Sequence, residues 1–271
     1  MSSKSTWTTQ RCKSPELKVD VDETVADRQD RLPGFSTARL RQSCVLLIGA
    51  GGLNGAVAGP LVRKGIGQLE ICDGDRVELS NLNRQPYYAS DLFEPKAHRL
   101  AANAAREGQQ GTSVLGHFTP FTEQNAAFLS AEADVVVCGV DNNRTRAVAS
   151  RILRQAGIPV IFCAVSETAD YGWLFVQEPI GPCIGCVFPR IAAAEGERQP
   201  CRAVPAVADI LHTMAGLVMY AIDSLLMERP RGWNFRSVHL VGTTTDIIDT
   251  VTSRAGCALC GGQAEPQKGA T

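Results

Sequence analysis

The sequence predicts an α/β fold built on a mostly parallel, twisted sheet that antiparallel strands extend at one side. Three observations lead to this prediction. Short apolar runs bounded by glycine, such as residues 44–48 and 68–72, are typical of strands buried within parallel sheets. Segments with helical periodicity alternate with these runs, which indicates right-handed βαβ crossovers. Residues 171–177 then have the character of an antiparallel strand that continues the sheet. The order of elements is Rossmann-like.

Beyond residue 86 the alternation of strands and helices continues, with boundaries at glycine, proline and polar residues. The predicted helices lie after a turn within 86–108, over 125–129, over 143–156, and in a small-residue apolar segment that ends near 228. The predicted strands are 114–118, 134–138, 159–164, 171–177, 233–241 and 243–251.

The composition suits one sizeable domain with an extensive core, because the chain has 271 residues and is 44% hydrophobic. Residues 1–26 are polar with little periodicity and are expected to form a flexible tail, which leaves 27–271 as a single domain. A net charge of −1 gives no reason to expect DNA or an anionic membrane as a partner. With no signal-peptide pattern and no apolar run of about 18 residues, the cytoplasm is the expected location.

The first βαβ unit carries the features of a nucleotide site. A turn containing Gly49, Gly51, Gly52 and Gly55 joins the first apolar run to a helix. Glycines let the backbone approach phosphate closely, and the helix N-terminus offers amide donors. A strict G-x-G-x-x-G pattern would place glycine at 54, where this chain has Asn54. The glycine pattern alone is therefore weak support for a nucleotide site.

Polar residues after the second strand make the prediction more specific. Asp73 ends that strand, where a carboxylate can accept hydrogen bonds from ribose hydroxyls. Arg84 and Lys96 follow, and cationic groups near phosphates suit stabilisation of charge that grows on phosphorus oxygens. Asp141 comes directly after a later strand and is well placed to hold Mg²⁺ on the phosphates. A dehydrogenase has no need of such a cationic cluster, so the set favours nucleotidyl transfer.

The segments GAGGLNG, ICDGDRVELSNLNRQ, PKA and VDNNRTR together resemble the E1-like adenylyltransferase family, over roughly residues 27–261. The resemblance implies ATP and Mg²⁺ as ligands. It implies that the glycine turn, Asp73, Asp75 and Asn81 hold the nucleotide, that Arg84 and Lys96 contact its phosphates, and that Asp141 binds magnesium.

The resemblance also implies a homodimer. In the family, an Arg-x-x-Arg-like element before the first strand supplies an arginine that reaches the ATP phosphates of the neighbouring subunit. Arg31 matches that position in this sequence. The alternative is an ordinary solvated start of a charged helix.

Two C-x-x-C pairs are separated by a long stretch of chain. Their members are Cys183, Cys186, Cys257 and Cys260, and glycines flank both pairs. Four thiolates suit a closed tetrahedral zinc site, which leaves no open position for catalysis. The pattern therefore predicts a structural zinc knuckle that ties the C-terminal end back onto the domain, rather than two pairs of free buried cysteines.

Cys201 lies in a polar stretch between the two pairs, at about 190–205. In E1-like enzymes a crossover loop at this place passes over the adenylate site and sometimes carries a cysteine that bonds to the activated carboxylate. Cys201 is thus either such a nucleophile or a bystander thiol, and the adjacent Arg202 is only a faint sign of a lowered thiol pKa.

The resemblance implies that the protein adenylates the C-terminal glycine of a small ubiquitin-like or sulfur-carrier protein ending in Gly-Gly. A sulfur donor is a further partner that it allows. A peptide C-terminus or a modified tRNA nucleoside is an alternative source of the carboxylate. Two alternatives of another class are an NAD(P)-dependent oxidoreductase and an inactive dimeric scaffold.

Overall fold

Nine strands form one sheet in the described part of the chain. The computed structural model describes residues 7–16, 18, 24–193, 206–242 and 244–261. The strands are β1 (Thr8–Lys13), β2 (Cys44–Ile48), β3 (Gln68–Asp73), β4 (Ser113–Phe118), β5 (Val135–Cys138), β6 (Val160–Val165), β7 (Tyr171–Gln177), β8 (Phe235–His239) and β9 (Ile247–Asp249). Their spatial order is β1-β4-β3-β2-β5-β6-β7-β8-β9.

The pairing of the strands confirms the predicted sheet. The five central strands, β4-β3-β2-β5-β6, are parallel to one another. β7, β8 and β9 extend the sheet antiparallel at one side. This is the mixed α/β architecture that the alternating apolar runs predict.

Helices cover both faces of the sheet, within the residues described. They are α1 (Asp27–Asp30), α2 (Thr37–Arg41), α3 (Gly52–Lys64), α4 (Lys96–Glu107), α5 (Ala126–Leu129), α6 (Asn143–Gln155), α7 (Ile184–Val187), α8 (Pro189–Ala193) and α9 (Ala208–Leu226). The apolar faces of α3, α4 and α9 form one core layer, and those of α5 to α8 form the other. Side chains of β2 alternate between the two layers, so all five of its residues are buried.

β2 lies where the order of the strands reverses. The chain runs outward from β2 to β3 and β4 on one side, and to β5 and β6 on the other. Ligands of open α/β sheets bind in the crevice at the carboxyl ends of the strands at such a switch point. The glycine turn follows β2 directly and therefore opens into this crevice.

The N-terminal segment departs from the sequence prediction. Within the expected flexible tail, β1 pairs antiparallel with the outer edge of β4, with Thr8 opposite Phe118. The Thr9 hydroxyl lies 3.0 Å from Nδ1 of the buried His117. The prediction of a flexible tail is thus wrong for β1. Its polar residues show no apolar alternation, and the strand forms because β4 offers an open edge with unpaired backbone groups.

Helix α9 is long and apolar enough to cross a membrane by length and composition alone. Half of its apolar window is nevertheless buried inside the protein. Ile210, Met214 and Val218 pack in the same core layer as α3. Its apolar composition is therefore that of a core helix.

Two glycines in different settings give a paired prediction for stability. A Cβ at Gly67 would collide with the backbone carbonyl oxygen of Arg41. The backbone at Gly67 or at Arg41 would have to move to relieve this collision. Gly216 lies within α9 with no atom near the place of a Cβ. We expect Gly67→Ala to lower the free energy of unfolding by more than about 2 kcal/mol, and Gly216→Ala to raise it by about 0.5–1 kcal/mol. Urea denaturation measures both, and a Gly67→Ala variant as stable as the wild type would contradict the close approach.

Candidate functional site

The four glycines of the turn after β2 serve different purposes. Gly49 has φ 95°, a left-handed conformation that favours glycine. A Cβ at Gly52 would lie 2.6 Å from Leu211 Cδ1, and one at Gly55 would lie 2.6 Å from Pro86 Cδ, so both glycines permit close packing. Gly51 alone of the four faces open space. It is the N-cap of α3 and no side chain caps this helix, so the first amides of α3 face the place where a ligand can approach.

Asp73 joins the end of β3 to the glycine turn. Its Oδ2 accepts a hydrogen bond from the Ala50 amide at 2.7 Å, and its Oδ1 accepts one from the Asp75 amide at 2.7 Å. Burial raises the pKa of this carboxyl, while the two amide donors oppose that rise. Because a carboxylate can accept about four hydrogen bonds, two positions remain for hydroxyl groups of a ligand.

Asn54 fastens the turn to the strand before it. The side chain is fully buried, and its amide nitrogen donates to the carbonyls of Ile48 at 2.9 Å and Gly49 at 2.8 Å. Asn54 Oδ1 lies close to Gly139, at 2.6 Å from the position that a Cβ of residue 139 would take. The departure from the strict glycine pattern therefore has a structural role, because Asn54 ties the first turn of α3 to the end of β2. The spacing of the glycines does not predict this role of Asn54. The signal in the sequence is an amide side chain in the first turn of an apolar helix.

Tyr87 holds the turn from the opposite side and was not singled out by the sequence. Its buried hydroxyl lies 2.6 Å from the Ala50 carbonyl and 3.3 Å from that of Lys96. Burial raises the pKa of Tyr87 well above its usual value, so the hydroxyl remains protonated and can donate. One side chain thus connects the glycine turn to the first residue of α4.

The two predicted cations lie on the loop and helix that follow β3. Lys96 begins α4, and its Nζ lies 3.2 Å from Asp75 Oδ2. Arg84 donates from Nη1 to the Ser80 carbonyl and to Asn83 Oδ1, both at 2.8 Å. Arg84 is thus held by its own loop, and Lys96 is held by Asp75, two residues after Asp73.

Asn81 has a structural function in the same loop. Its Oδ1 accepts from the Glu78 amide at 3.0 Å and so caps the short 3₁₀ turn Leu79–Asn81. The Arg84 amide donates to the Asn81 carbonyl at 3.2 Å. Asn81 therefore shapes the backbone from which Arg84 projects.

Asp141 is an exposed residue just after β5, the strand beside β2 in the crevice. Arg146, which the sequence analysis did not select, supports the loop that carries Asp141. Its buried guanidinium donates to the Val140 carbonyl at 2.7 Å and lies over the Trp173 ring at 5.5 Å. Burial lowers the pKa of Arg146, and the nearby Asp141 raises it.

Arg31 lies far from the glycine turn of its own chain. Gln29, two residues before it, donates to the Lys64 carbonyl at 2.8 Å, at the C-terminal end of α3. The glycine turn is at the N-terminal end of α3, and a helix of 13 residues is about 20 Å long. An arginine side chain cannot span this distance. The Arg31 side chain is 77% exposed and approaches Asp27 at 3.9 Å.

The four cysteines of the two C-x-x-C pairs come together, as predicted. Their sulfur atoms all lie within 4.8 Å of one another, with Cys183 Sγ 3.9 Å from Cys186 Sγ and 3.5 Å from Cys257 Sγ. Cys186 Sγ lies 3.6 Å from Cys260 Sγ and accepts the Arg254 amide at 3.4 Å. This donor set could hold one metal ion.

The four cysteines of the central parallel strands differ from this cluster. Cys44, Cys72, Cys138 and Cys163 are buried, and burial raises the pKa of Cys138 to about 11, which keeps its thiol protonated. Cys201 and most of the expected crossover loop lie outside the described residues.

A family model described as the ThiF family matches residues 27–258. The chain belongs to the ThiF family. Membership confirms the resemblance to E1-like adenylyltransferases that the sequence motifs indicate. The match spans the sheet from β2 to β9, both cationic residues and the first three cysteines of the cluster.

Named relatives of this ThiF family member agree with that assignment. The SAMP-activating enzyme E1 of Haloferax volcanii is 32% identical over 255 residues, which cover 90% of this chain and 92% of that protein. The sulfur carrier protein adenylyltransferase of Thermus thermophilus is 31% identical over 193 residues, 68% of each chain.

Solved structures share the fold. MccB of E. coli, in a crystal structure with ATP, has a TM-score of 0.66 at 17% identity. The match covers 83% of this chain and 68% of the MccB chain. PaaA has a TM-score of 0.65 at 21% identity, with 80% of this chain and 67% of PaaA covered. At these identities the likeness concerns the fold alone.

Neighbouring tyrosines offer a test of the bond that holds the turn. We expect Tyr87→Phe to lower the free energy of unfolding by about 1–2 kcal/mol, because the buried Ala50 carbonyl loses its donor. Tyr88→Phe is the control, because it also removes only a hydroxyl group, from a side chain that is 61% exposed. Urea denaturation compares the two, and equal stability of both variants would show that the Tyr87 hydroxyl contributes nothing.

Proposed function

We propose that this protein is an ATP-dependent adenylyltransferase that activates the C-terminal carboxylate of a small ubiquitin-like or sulfur-carrier protein ending in Gly-Gly. The observation that carries the proposal is the open glycine turn at the switch point, with Asp73, Lys96 and Arg84 on the adjoining loop and helix. The names of the relatives from Haloferax and Thermus support the class of substrate.

The reaction is a displacement at phosphorus. An oxygen of the substrate carboxylate bonds to the α-phosphorus of ATP, the bond from that phosphorus to the bridging oxygen of the β-phosphate breaks, and pyrophosphate leaves with the electron pair. A carboxylate is already a nucleophile, so no general base is required. Positioning and electrostatic stabilisation therefore supply most of the rate.

The protein's own residues have separate tasks in this step. The amides at the start of α3 bind the phosphates, and Asp73 binds the ribose. Arg84 and Lys96 neutralise the charge that grows on the phosphorus oxygens. The Lys96 side chain is 12% exposed and that of Asp75 is 67% exposed, so a bound phosphate would replace a largely exposed carboxylate as the partner of this lysine. Asp141 is the residue that would hold Mg²⁺, which supplies further positive charge on the phosphates.

The active unit that we propose is a homodimer. The position of Arg31 at the far end of α3 supports this, because its guanidinium can serve a phosphate site only in a neighbouring subunit. A twofold axis would then deliver one Arg31 to each of two sites.

Zinc is the ion that we propose for the cysteine cluster. Four thiolates at zinc–sulfur distances of about 2.3 Å lie about 3.8 Å apart in a tetrahedron. The distances of 3.9, 3.5 and 3.6 Å between sulfurs support that geometry. The site is closed, so its role is to fasten the segment after β9 to the segment after β7.

Other readings of the site receive less support. A peptide or tRNA-nucleoside carboxylate would undergo the same chemistry, but the MccB likeness concerns the fold alone, and the curated relatives are named for sulfur carriers and SAMP proteins. Membership of the ThiF family speaks against an oxidoreductase, and the full set of charged residues speaks against an inactive scaffold. A cytoplasmic location and a separate sulfur donor complete the proposal.

Magnesium-dependent ATP–pyrophosphate exchange tests the proposed function. We would assay the wild-type protein with small β-grasp proteins that end in Gly-Gly, with short peptides, and with tRNA. Exchange that requires a Gly-Gly protein is the expected result. Exchange only with a peptide or tRNA would show that the substrate is not a carrier protein. NAD(P)H binding without any exchange would contradict the proposal that the protein is an adenylyltransferase.

Mixing two inactive variants tests whether Arg31 acts between subunits. Arg31→Ala and Arg84→Ala should each lose exchange activity while remaining folded. After subunit exchange, the mixture should recover about a quarter of the wild-type rate, because half of the dimers are mixed and one of their two sites has both arginines. The control is each variant mixed with itself. No recovery despite verified heterodimers would contradict a role for Arg31 in the neighbouring site.

Metal analysis tests the cysteine cluster. The purified protein should contain about one zinc per chain, and Cys183→Ser should lose the metal and melt at a lower temperature. Cys12→Ser is the matched control, because Cys12 lies in β1, outside the cluster. A folded wild-type protein without metal would refute the zinc site.

A further inference from the structure

Phe93 has an unfavourable backbone conformation and an exposed side chain. Its φ is 69°, in the left-handed region that bulky residues rarely adopt, and its side chain is 75% exposed. An exposed ring buries little apolar surface within its own chain. Strained residues persist where the surroundings fix the backbone, and they cluster at functional sites.

Hydrogen bonds to neighbouring backbone fix Phe93 in this conformation. Its amide donates to the Val77 carbonyl at 2.9 Å, and its carbonyl accepts Arg76 Nη1 at 2.8 Å. The same pairing continues with a bridge between Arg76 and Pro95 and places the Lys96 amide 2.9 Å from the Asp75 carbonyl. The backbone at 93 thus helps to set Lys96, but glycine would meet this requirement with less strain. The ring needs a different explanation.

Two other large side chains on the same loop are also exposed. Leu79 is 75% exposed and Tyr88 is 61% exposed. With Phe93 they form what we call the 79–93 rim, on the segment that also carries Arg84. Large apolar side chains around a site of function are typical of surfaces that another protein covers.

A second copy of this chain is the occupant that the structure favours. Arg31 can act only in a neighbouring subunit, and that subunit must bring Arg31 to phosphates held by Lys96, three residues from Phe93. Val25 and Leu32, on either side of Arg31, are each 51% exposed. The segment that delivers the arginine therefore carries apolar surface that the 79–93 rim can bury.

We propose that Phe93 is an anchor of the dimer interface, whose ring packs against the apolar residues around Arg31 of a second copy. This inference rests on the dimeric part of the proposed function. The strained backbone aims the ring outward, and the contact holds the incoming Arg31 beside Lys96. Twofold symmetry makes the contact twice in each dimer.

Sedimentation velocity over a range of protein concentrations tests the anchor. Phe93→Gly and Phe93→Ala should each raise the dimer dissociation constant at least tenfold relative to the wild type, because both remove the ring. Their exchange rates should fall at low protein concentration and recover at high concentration. Phe128→Ala is the matched control, since Phe128 is 60% exposed and lies outside the rim.

A second measurement separates the ring from the backbone strain. Compared as monomers in urea, Phe93→Gly should unfold at a higher midpoint than Phe93→Ala, because glycine tolerates the left-handed conformation. Unchanged dimer dissociation in both variants would overturn the proposal, as would a raised KM for the carrier protein with an intact dimer. Sedimentation does not depend on enzymatic activity. A wild-type protein that dimerises but shows no ATP–pyrophosphate exchange would therefore contradict the proposed function and leave the test of Phe93 intact.

Discussion

The structure depends on the hydrogen bonds that hold the ends of β2 and β3 together at the glycine turn. Asp73 accepts the Ala50 amide, Asn54 donates to the last carbonyls of β2 and the turn, and Tyr87 donates to the Ala50 carbonyl. Each such bond contributes about 0.5–1.5 kcal/mol, but a buried partner left unpaired costs more. The turn is thus fixed before a ligand arrives, and its amides need little reorganisation when charge develops on a bound nucleotide.

The distribution of charge follows from this rigid turn. The chain has a net charge of −1, so the positive charge that phosphates require must be placed locally. Lys96 and Arg84 are the residues that we propose to supply part of it; Lys96 pairs with Asp75 across the loop, and Arg84 donates to Ser80 and Asn83. Arg31 lies at the opposite end of α3 and is exposed. One chain therefore carries a cation that its own crevice cannot reach, which supports the homodimer that we propose.

The sequence predicted those features that depend on local spacing. Apolar runs and helical periodicity located β2 to β8 and the helices α3, α4, α5, α6 and α9 to within a few residues, whereas the short helices α2, α7 and α8 were not predicted. The two C-x-x-C pairs identified the cysteine cluster. Features that depend on distant partners were missed. β1 forms because β4 has an open edge, and the functions of Asn54 and Tyr87 rest on hydrogen bonds to carbonyls that only the folded turn brings near. The cap that the Asn81 side-chain oxygen makes was likewise not predicted, while the expected contact of Asn81 with the nucleotide stays a prediction.

In the reaction that we propose, a carboxylate oxygen attacks the α-phosphorus of ATP. A carrier protein whose C-terminal glycine carboxylate is labelled with ¹⁸O tests this directly, with hydroxylamine present to release the activated acyl group. We expect one labelled oxygen in AMP and none in pyrophosphate, as mass spectrometry of the released nucleotide and pyrophosphate would show. Label in inorganic phosphate, with ADP as the nucleotide product, would place the attack at the γ-phosphorus and rule out adenylation.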